Sequence, residues 1–176
     1  MNAALEAVRP LIRTRQYRQF TDEPVSDEHL RALTEVGRWS GSSRNSQPCR
    51  FLVIRDTALI RGLWQAGIPQ TRSLETAMAV IAITLPDEEG RAVGHAYDEG
   101  RAAERILIAA SMLGFGAGIA WIRADVRAAA AELLGLPGDR FVRTIMAIGH
   151  PAAEARAYRL PPGEARLPEE ELSDWR

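Results

Sequence analysis

Apolar residues along this chain recur at helical spacing in several stretches and run without interruption in one. Leu5, Val8 and Ile12 lie on one face of an amphipathic helix over residues 2–14. Thr21-Asp22-Glu23-Pro24 reads as a turn. Ser26 is placed to cap a second helix, with Asp27 and Glu28 where the helix dipole favours acids, and Leu30, Leu33 and Val36-Gly37 on its buried face. Residues 50–54 have the length of a short strand. Asp56 should cap a helix through Leu63-Trp64, and residues 69–75 predict a further short helix. Residues 77–85 form a continuous apolar run ended by Pro86, the pattern of a strand covered on both faces. A polar, loop-like stretch over 87–94, with His95 still in loop-like surroundings, precedes the longest helix, 98–113. The second half of that helix is apolar nearly all round and should be central and buried. Residues 116–122 read as a loop entering a strand. Asp125 should cap a helix stopped by Gly135 and Pro137, and residues 141–148 predict the last strand.

Helices mixed with about four strands give an α+β or α/β domain. At 176 residues one domain is the simplest organisation: residues 1–150 carry the pattern, and residues 151–176 lack a clear amphipathic period. Such a tail is expected either to stay disordered or to lie along another surface. A formal net charge of −1 gives no basic excess for nucleic acid. The N-terminal residues hold an early acid and no apolar core, and no run is long enough to span a bilayer, so a soluble cytoplasmic protein is expected. All 22 basic residues are arginine, which excludes Schiff-base lysine and P-loop lysine chemistry.

Three clusters carry candidate chemistry. Arg13, Arg15 and Arg18 lead to Phe20 at and beyond the first helix; they either complement its dipole or capture a phosphate. Ser42, Ser43, Asn45 and Gln47 form either a capping turn or a hydrogen-bonding edge for a flat heterocycle. Gly114-Phe115-Gly116-Ala117-Gly118 follows a helix and has Ile119 where a dinucleotide fingerprint needs glycine, so Rossmann binding is rejected. Gly114 should instead terminate the preceding helix. His29 reads as a surface helix residue. His29, His95 and His150 share no metal-ligand spacing, and no metal is expected. Cys49 is expected to be a small apolar residue rather than a nucleophile. Arg101 and Glu104 should make helix-face polar contacts.

Taken in order, the segments Arg15–Val25, Gly41–Pro48, Leu113–Gly118, Leu134–Pro137 and Ala147–Pro151 resemble the FMN-dependent nitroreductase family over nearly the whole chain. The resemblance implies an α+β sandwich around a mixed, mainly antiparallel sheet of about four strands. It also implies an intertwined homodimer whose residues 151–176 cross onto the partner subunit. It places Arg15, Gln16 and Arg18 at the phosphate and ribityl chain of FMN, and Arg166 from the tail at the phosphate. Ser42, Ser43 and Asn45 would reach a flavin held mainly by the other subunit, Gly118, Ile119 and Ala120 would run beside its ring, and Gln70 would touch the ring edge. The implied activity is hydride transfer from NADH or NADPH through flavin N5 to a nitroaromatic or quinone. A flavin-fragmenting enzyme on the same fold and a non-catalytic flavin-binding protein are the alternatives. Thr14, Gln16 and Cys49 depart from the family's more usual arginine, serine and tryptophan, and the segment 86–97 is short.

Overall fold

The computed structural model describes residues 3–157 and 167–174, and its elements follow from the apolar pattern. Helix α1 (Ala3–Arg13) is followed by an extended segment, then α2 (Asp27–Arg38), strand β1 (Arg50–Ile54) and α3 (Thr57–Gly67). Strand β2 (Ala79–Pro86), the long helix α4 (Ala92–Met112), β3 (Gly116–Trp121), α5 (Arg127–Leu133) and β4 (Arg140–Gly149) complete the body. Short helices α6 (Ala153–Ala157) and α7 (Glu169–Leu172) come from the tail. Two of the three expected caps form: Ser26 Oγ accepts from the His29 amide, and Asp56 accepts from the amides of Ala58 and Leu59. Gly114 (φ 82°) ends α4 and Gly135 (φ 59°) follows α5, both in the left-handed region where glycine carries no Cβ penalty.

The sheet order is β1-β2-β4-β3, antiparallel at every strand pair. The sheet is thus antiparallel rather than mixed; the parallel contact of Gln16 with Ala117 is an isolated bridge from the segment after α1, not a strand of the sheet. The strand β2 is buried from Ala79 to Leu85 because both faces are covered. On one face Val80, Ala82, Ile145 and Ala147 pack with Ile60 and Leu63 of α3 and Ala130 of α5. On the other, Ile81, Ile83, Met146 and Ile148 pack with Leu30 and Leu33 of α2 and Ile106 of α4. The result is a three-layer α+β sandwich. No described helix is long and apolar enough to cross a membrane.

Three expectations are corrected. Helix α4 begins at Ala92, about two turns before Asp98, so His95 is a buried helical residue rather than a loop residue. The polar composition of 87–97 hid this start, and Arg91 at the cap position makes no side-chain capping bond to announce it. Helix α4 is buried on one face only: Val93, Tyr97 and Met112 stay exposed. Asp125 does not cap α5. It sits in a 3-10 turn, and its carboxylate is bound by Arg123 at 2.6 Å.

Candidate functional site

The segment after α1 is tied to the outer edge of β3. The Tyr17 amide donates to the Ala117 carbonyl at 2.8 Å, and the Ile119 amide donates to Gln16 Oε1 at 3.2 Å. Phe20, buried in the core, forms a bridge with Pro151, so the segment passes from β3 to the end of β4. Gly118 is required by this approach: a Cβ there would stand 2.0 Å from the Tyr17 carbonyl oxygen. Further along the same edge the Trp121 amide donates to the Gln70 carbonyl at 3.4 Å. Thus β3, the residues around Gln16 and the residues around Gln70 converge.

A cavity of about 360 Å³ lies there, lined by Arg18, Gln70, Arg72, Ser73, Ile119 and Trp121 among others. A second cavity beside it is lined by Gln16, Arg18 and Arg72 together with Glu75 and Glu154. Arg15, Arg18 and Arg72 form no ion pair with any described residue. The structure therefore brings Gln16, Arg18, Gln70, Gly118, Ile119 and Ala120 to one place, with Arg15 exposed at the start of the same segment. Arg72 is the residue that sequence reasoning missed. It sits in a turn with no helical or strand period to mark it, and only its arginine type hinted at anion binding. Gln70 is also held from outside by Arg123, whose guanidinium donates to its Oε1 at 3.2 Å. Arg166 lies outside the described residues.

Ser42, Ser43 and Asn45 are elsewhere. They occupy the turn between α2 and β1, at the opposite edge of the sheet from β3. Three inter-strand spacings of ~4.8 Å separate the two edges by about 14 Å. The turn is strained: Arg44 (φ 52°), Asn45 (φ 55°) and Gln47 (φ 48°) are the positive-φ non-glycine residues of the described chain. Each such residue costs roughly 1–2 kcal/mol in the left-handed region, less for asparagine. Ser42 Oγ accepts from the Gln47 amide at 2.8 Å, and the amide of Ser43 donates to the Asp98 carboxylate of α4. A cavity of about 360 Å³ opens beneath, lined by Glu35, Arg38, Ser42, Gln47, Cys49, Phe51, Asp98 and Ala102 among others.

Electrostatics assign no acid or base here. Burial, reinforced by the carboxylates of Glu99 and Asp98, pushes the Cys49 thiol up to about 12, so it is neutral and unreactive at physiological pH. The Arg38 guanidinium and the Trp39 indole hold the Glu35 carboxyl down at about 2. His29 is half-buried rather than a plain surface residue, and packs edge-on to Phe115 with His150 on the other side. Arg101 lies 4.0 Å from Asp98, and Glu104 shares its exposed helix face. Among the described residues no cluster of His, Cys, Asp and Glu could hold a metal ion.

With this geometry in hand, similarity to known proteins is informative. The Nitroreductase family model matches residues 12–84, which include the segment beside β3 and the strained turn. A relative from Archaeoglobus fulgidus carrying the name NADH dehydrogenase/NAD(P)H nitroreductase is 27% identical, over 87% of this chain and 90% of its own. The structure of Bacillus megaterium NfrA2 superposes with a TM-score of 0.81 at 25% identity, covering 99% of this chain and 74% of that one. A crystal structure from Desulfovibrio desulfuricans, described as a nitroreductase in complex with FMN, is 33% identical with a TM-score of 0.69. It covers 96% of this chain and 98% of that one. The chain belongs to the nitroreductase family.

Proposed function

We propose that the protein is a homodimeric FMN oxidoreductase that takes hydride from NADH or NADPH and delivers it to an electron-poor acceptor such as a nitroaromatic or a quinone. The observation that carries this reading is the edge of β3, where the guanidiniums of Arg18 and Arg72 and the amide side chains of Gln16 and Gln70 line two adjoining cavities, with Arg15 exposed at the start of the same segment. These residues fit FMN. Arg15, Arg18 and Arg72 supply the charge for a near-dianionic phosphate, with Arg166 added from the tail; guanidinium–phosphate hydrogen bonds are among the stronger ones available. Gln16 and Gln70 each offer side-chain N–H donors to a ring edge, their Oε1 atoms being held by the Ile119 amide and the Arg123 guanidinium. The chemistry supplied by FMN when bound is hydride acceptance at N5 and release to the acceptor. The chain's own share is to bind, orient and exclude water. No protein acid or base is assigned, since the flavin cofactor carries the hard step.

The sheet order supports a shared site. Ser42, Ser43 and Asn45 sit at the edge opposite Arg15, Gln16 and Arg18, so in this reading they serve the FMN of the partner subunit. The neutral, half-buried Cys49 and the uncommitted arginines agree with a role in binding rather than in nucleophilic catalysis. The test is anaerobic stopped-flow mixing of FMN-loaded protein with NADH or NADPH, then with a nitroaromatic or a quinone. Bleaching of the flavin band by one nicotinamide and recovery on acceptor addition is expected. No bleaching by either would identify a flavin carrier, and oxygen-dependent loss of the flavin spectrum would identify a flavin-fragmenting enzyme.

A further inference from the structure

The turn Gly41–Pro48 keeps three non-glycine residues at positive φ, yet its internal bonds are few: the Gln47 amide donates to Ser42 Oγ, the Gln47 side chain donates to the Asn45 carbonyl, and Asn45 and Ser46 make single 3-10 contacts. Strained turns of this kind persist only where the surroundings over-determine them. Two charged residues on other elements, the buried Asp98 and the half-buried Arg140, do that. Asp98, only 5% exposed on α4, accepts the Ser43 amide with both carboxylate oxygens, at 3.3 and 3.2 Å. Arg140, at the start of β4, donates to the Pro48 carbonyl at 2.8 Å. The same side chain is fixed by the Thr84 carbonyl at 2.7 Å and the Thr84 hydroxyl at 3.1 Å. The turn is therefore held at both ends from inside the fold. Arg101 closes the outside, its guanidinium lying where a Cβ on Gly41 would stand.

We propose that Asp98 and Arg140 are positioning residues that preset the Ser42–Pro48 turn for ligand contact. This rests on the reading of that turn as part of an FMN site. Neither residue needs to touch the cofactor. Asp98 orients Ser43, Arg140 orients Pro48, and the strained peptides between them present Ser42, Ser43 and Asn45 in one conformation. Holding that conformation before binding removes the ordering cost that a free turn would carry. A carboxylate accepting a backbone amide is a strong orienting contact because the bond is charge-assisted. Asp98→Asn keeps the shape and removes the charge.

The experiment is a double-mutant cycle in FMN affinity, read by quenching of flavin fluorescence, with Asp98→Asn, Asn45→Ala and the double variant. Apo-protein melting is recorded for each. Each single variant is expected to weaken FMN about tenfold, the scale of one charged or fully used hydrogen bond. The double variant should lose much less than the product of the two, because one residue acts through the segment that holds the other. Multiplicative losses, or an Asp98→Asn protein that binds FMN like the parent, would overturn the proposal. Asn45→Ala binding like the parent would overturn it too, together with the placement of the cofactor on this turn. If Asp98→Asn does not melt cooperatively, Arg140→Lys takes its place in the same cycle. Lysine keeps the charge but cannot span Pro48 and Thr84 with a planar fork.

Discussion

Arg15, Arg18 and Arg72 are guanidiniums without described carboxylate partners, whereas several other arginines have them. Arg38 is bound by Glu35, Arg123 by Asp125 and Arg143 by the buried Glu99. An arginine left unpaired beside a cavity keeps its full capacity for an anion, whereas one already held by a carboxylate must break that contact first. Arg15→Ala and Arg72→Ala should each weaken FMN by about 1.5–3 kcal/mol, the range for hydrogen bonds to charged groups. Riboflavin, which lacks the phosphate, should be affected far less. Titration of both ligands against each variant checks this, and Arg166→Ala belongs in the same series. Equal weakening of FMN and riboflavin would show that these arginines hold the fold or the ring rather than the phosphate. Arg18 carries the same expectation: it pairs with neither Asp22 nor Glu23, and Glu23 instead approaches His150 at 3.5 Å.

At the scale of elements, the meeting of β3 with the segment after α1 depends on one missing methyl group. Gly118→Ala would drive a Cβ to 2.0 Å from the Tyr17 carbonyl oxygen, a backbone atom that cannot rotate away. The segment must lift, taking with it the Tyr17–Ala117 and Gln16–Ile119 bonds. A loss of about 1–3 kcal/mol in urea unfolding is expected for such overpacking, with FMN binding reduced more than stability. Gly94→Ala, in α4 with open space around it, should cost nothing and gain helix propensity. If Gly118→Ala binds FMN normally, the segment is not part of the site. The elements themselves were largely legible in the sequence, because Ala77–Leu85 and the faces of α2 and α3 bury what their periods promise. What was not legible is informative. Asp98 looks like a helix start and is instead a mid-helix carboxylate used by a distant turn, and Asp125 looks like a cap and serves Arg123. An aspartate's local pattern is the same whether its acceptor lobes meet its own helix or another element. Arg72 and Arg140 gave no periodic signal at all: Arg72 sits in a short turn, and the partners of Arg140, Thr84 and Pro48, come from across the fold. Gln16, Arg18, Gln70 and Ile119 could be drawn together only through a resemblance, and the bridge along β3 supplies the physical reason.

Two features of the whole molecule are unfinished within one chain. Helix α1 buries no residue, and Leu5, Val8, Leu11 and Ile12 all face outward. Val93, Tyr97 and Met112 of α4 are exposed as well. Apolar positions spaced this regularly on a helix need a partner surface to contribute to stability. The second feature belongs to the proposed FMN site: the residues assigned to it lie on β3 and on the turn before β1, at opposite edges of the sheet. A two-fold dimer answers both at once, because an isologous interface brings one edge of each subunit to the other edge of its partner. Subunit complementation tests this directly. Arg15→Ala and Asn45→Ala, each purified alone, should bind FMN weakly at both sites of their dimers. Co-expressed in equal amounts, about half of the dimers are mixed, and each mixed dimer holds one site with both defects and one with neither. About a quarter of all sites should then recover parental affinity, visible as a tight phase in the titration that neither variant shows alone. If each site were built within a single chain, every site would carry one defect and no tight phase could appear. Leu11→Glu with Ile12→Glu offers the structural counterpart: sedimentation should move toward the monomer, and the tight phase should vanish with it.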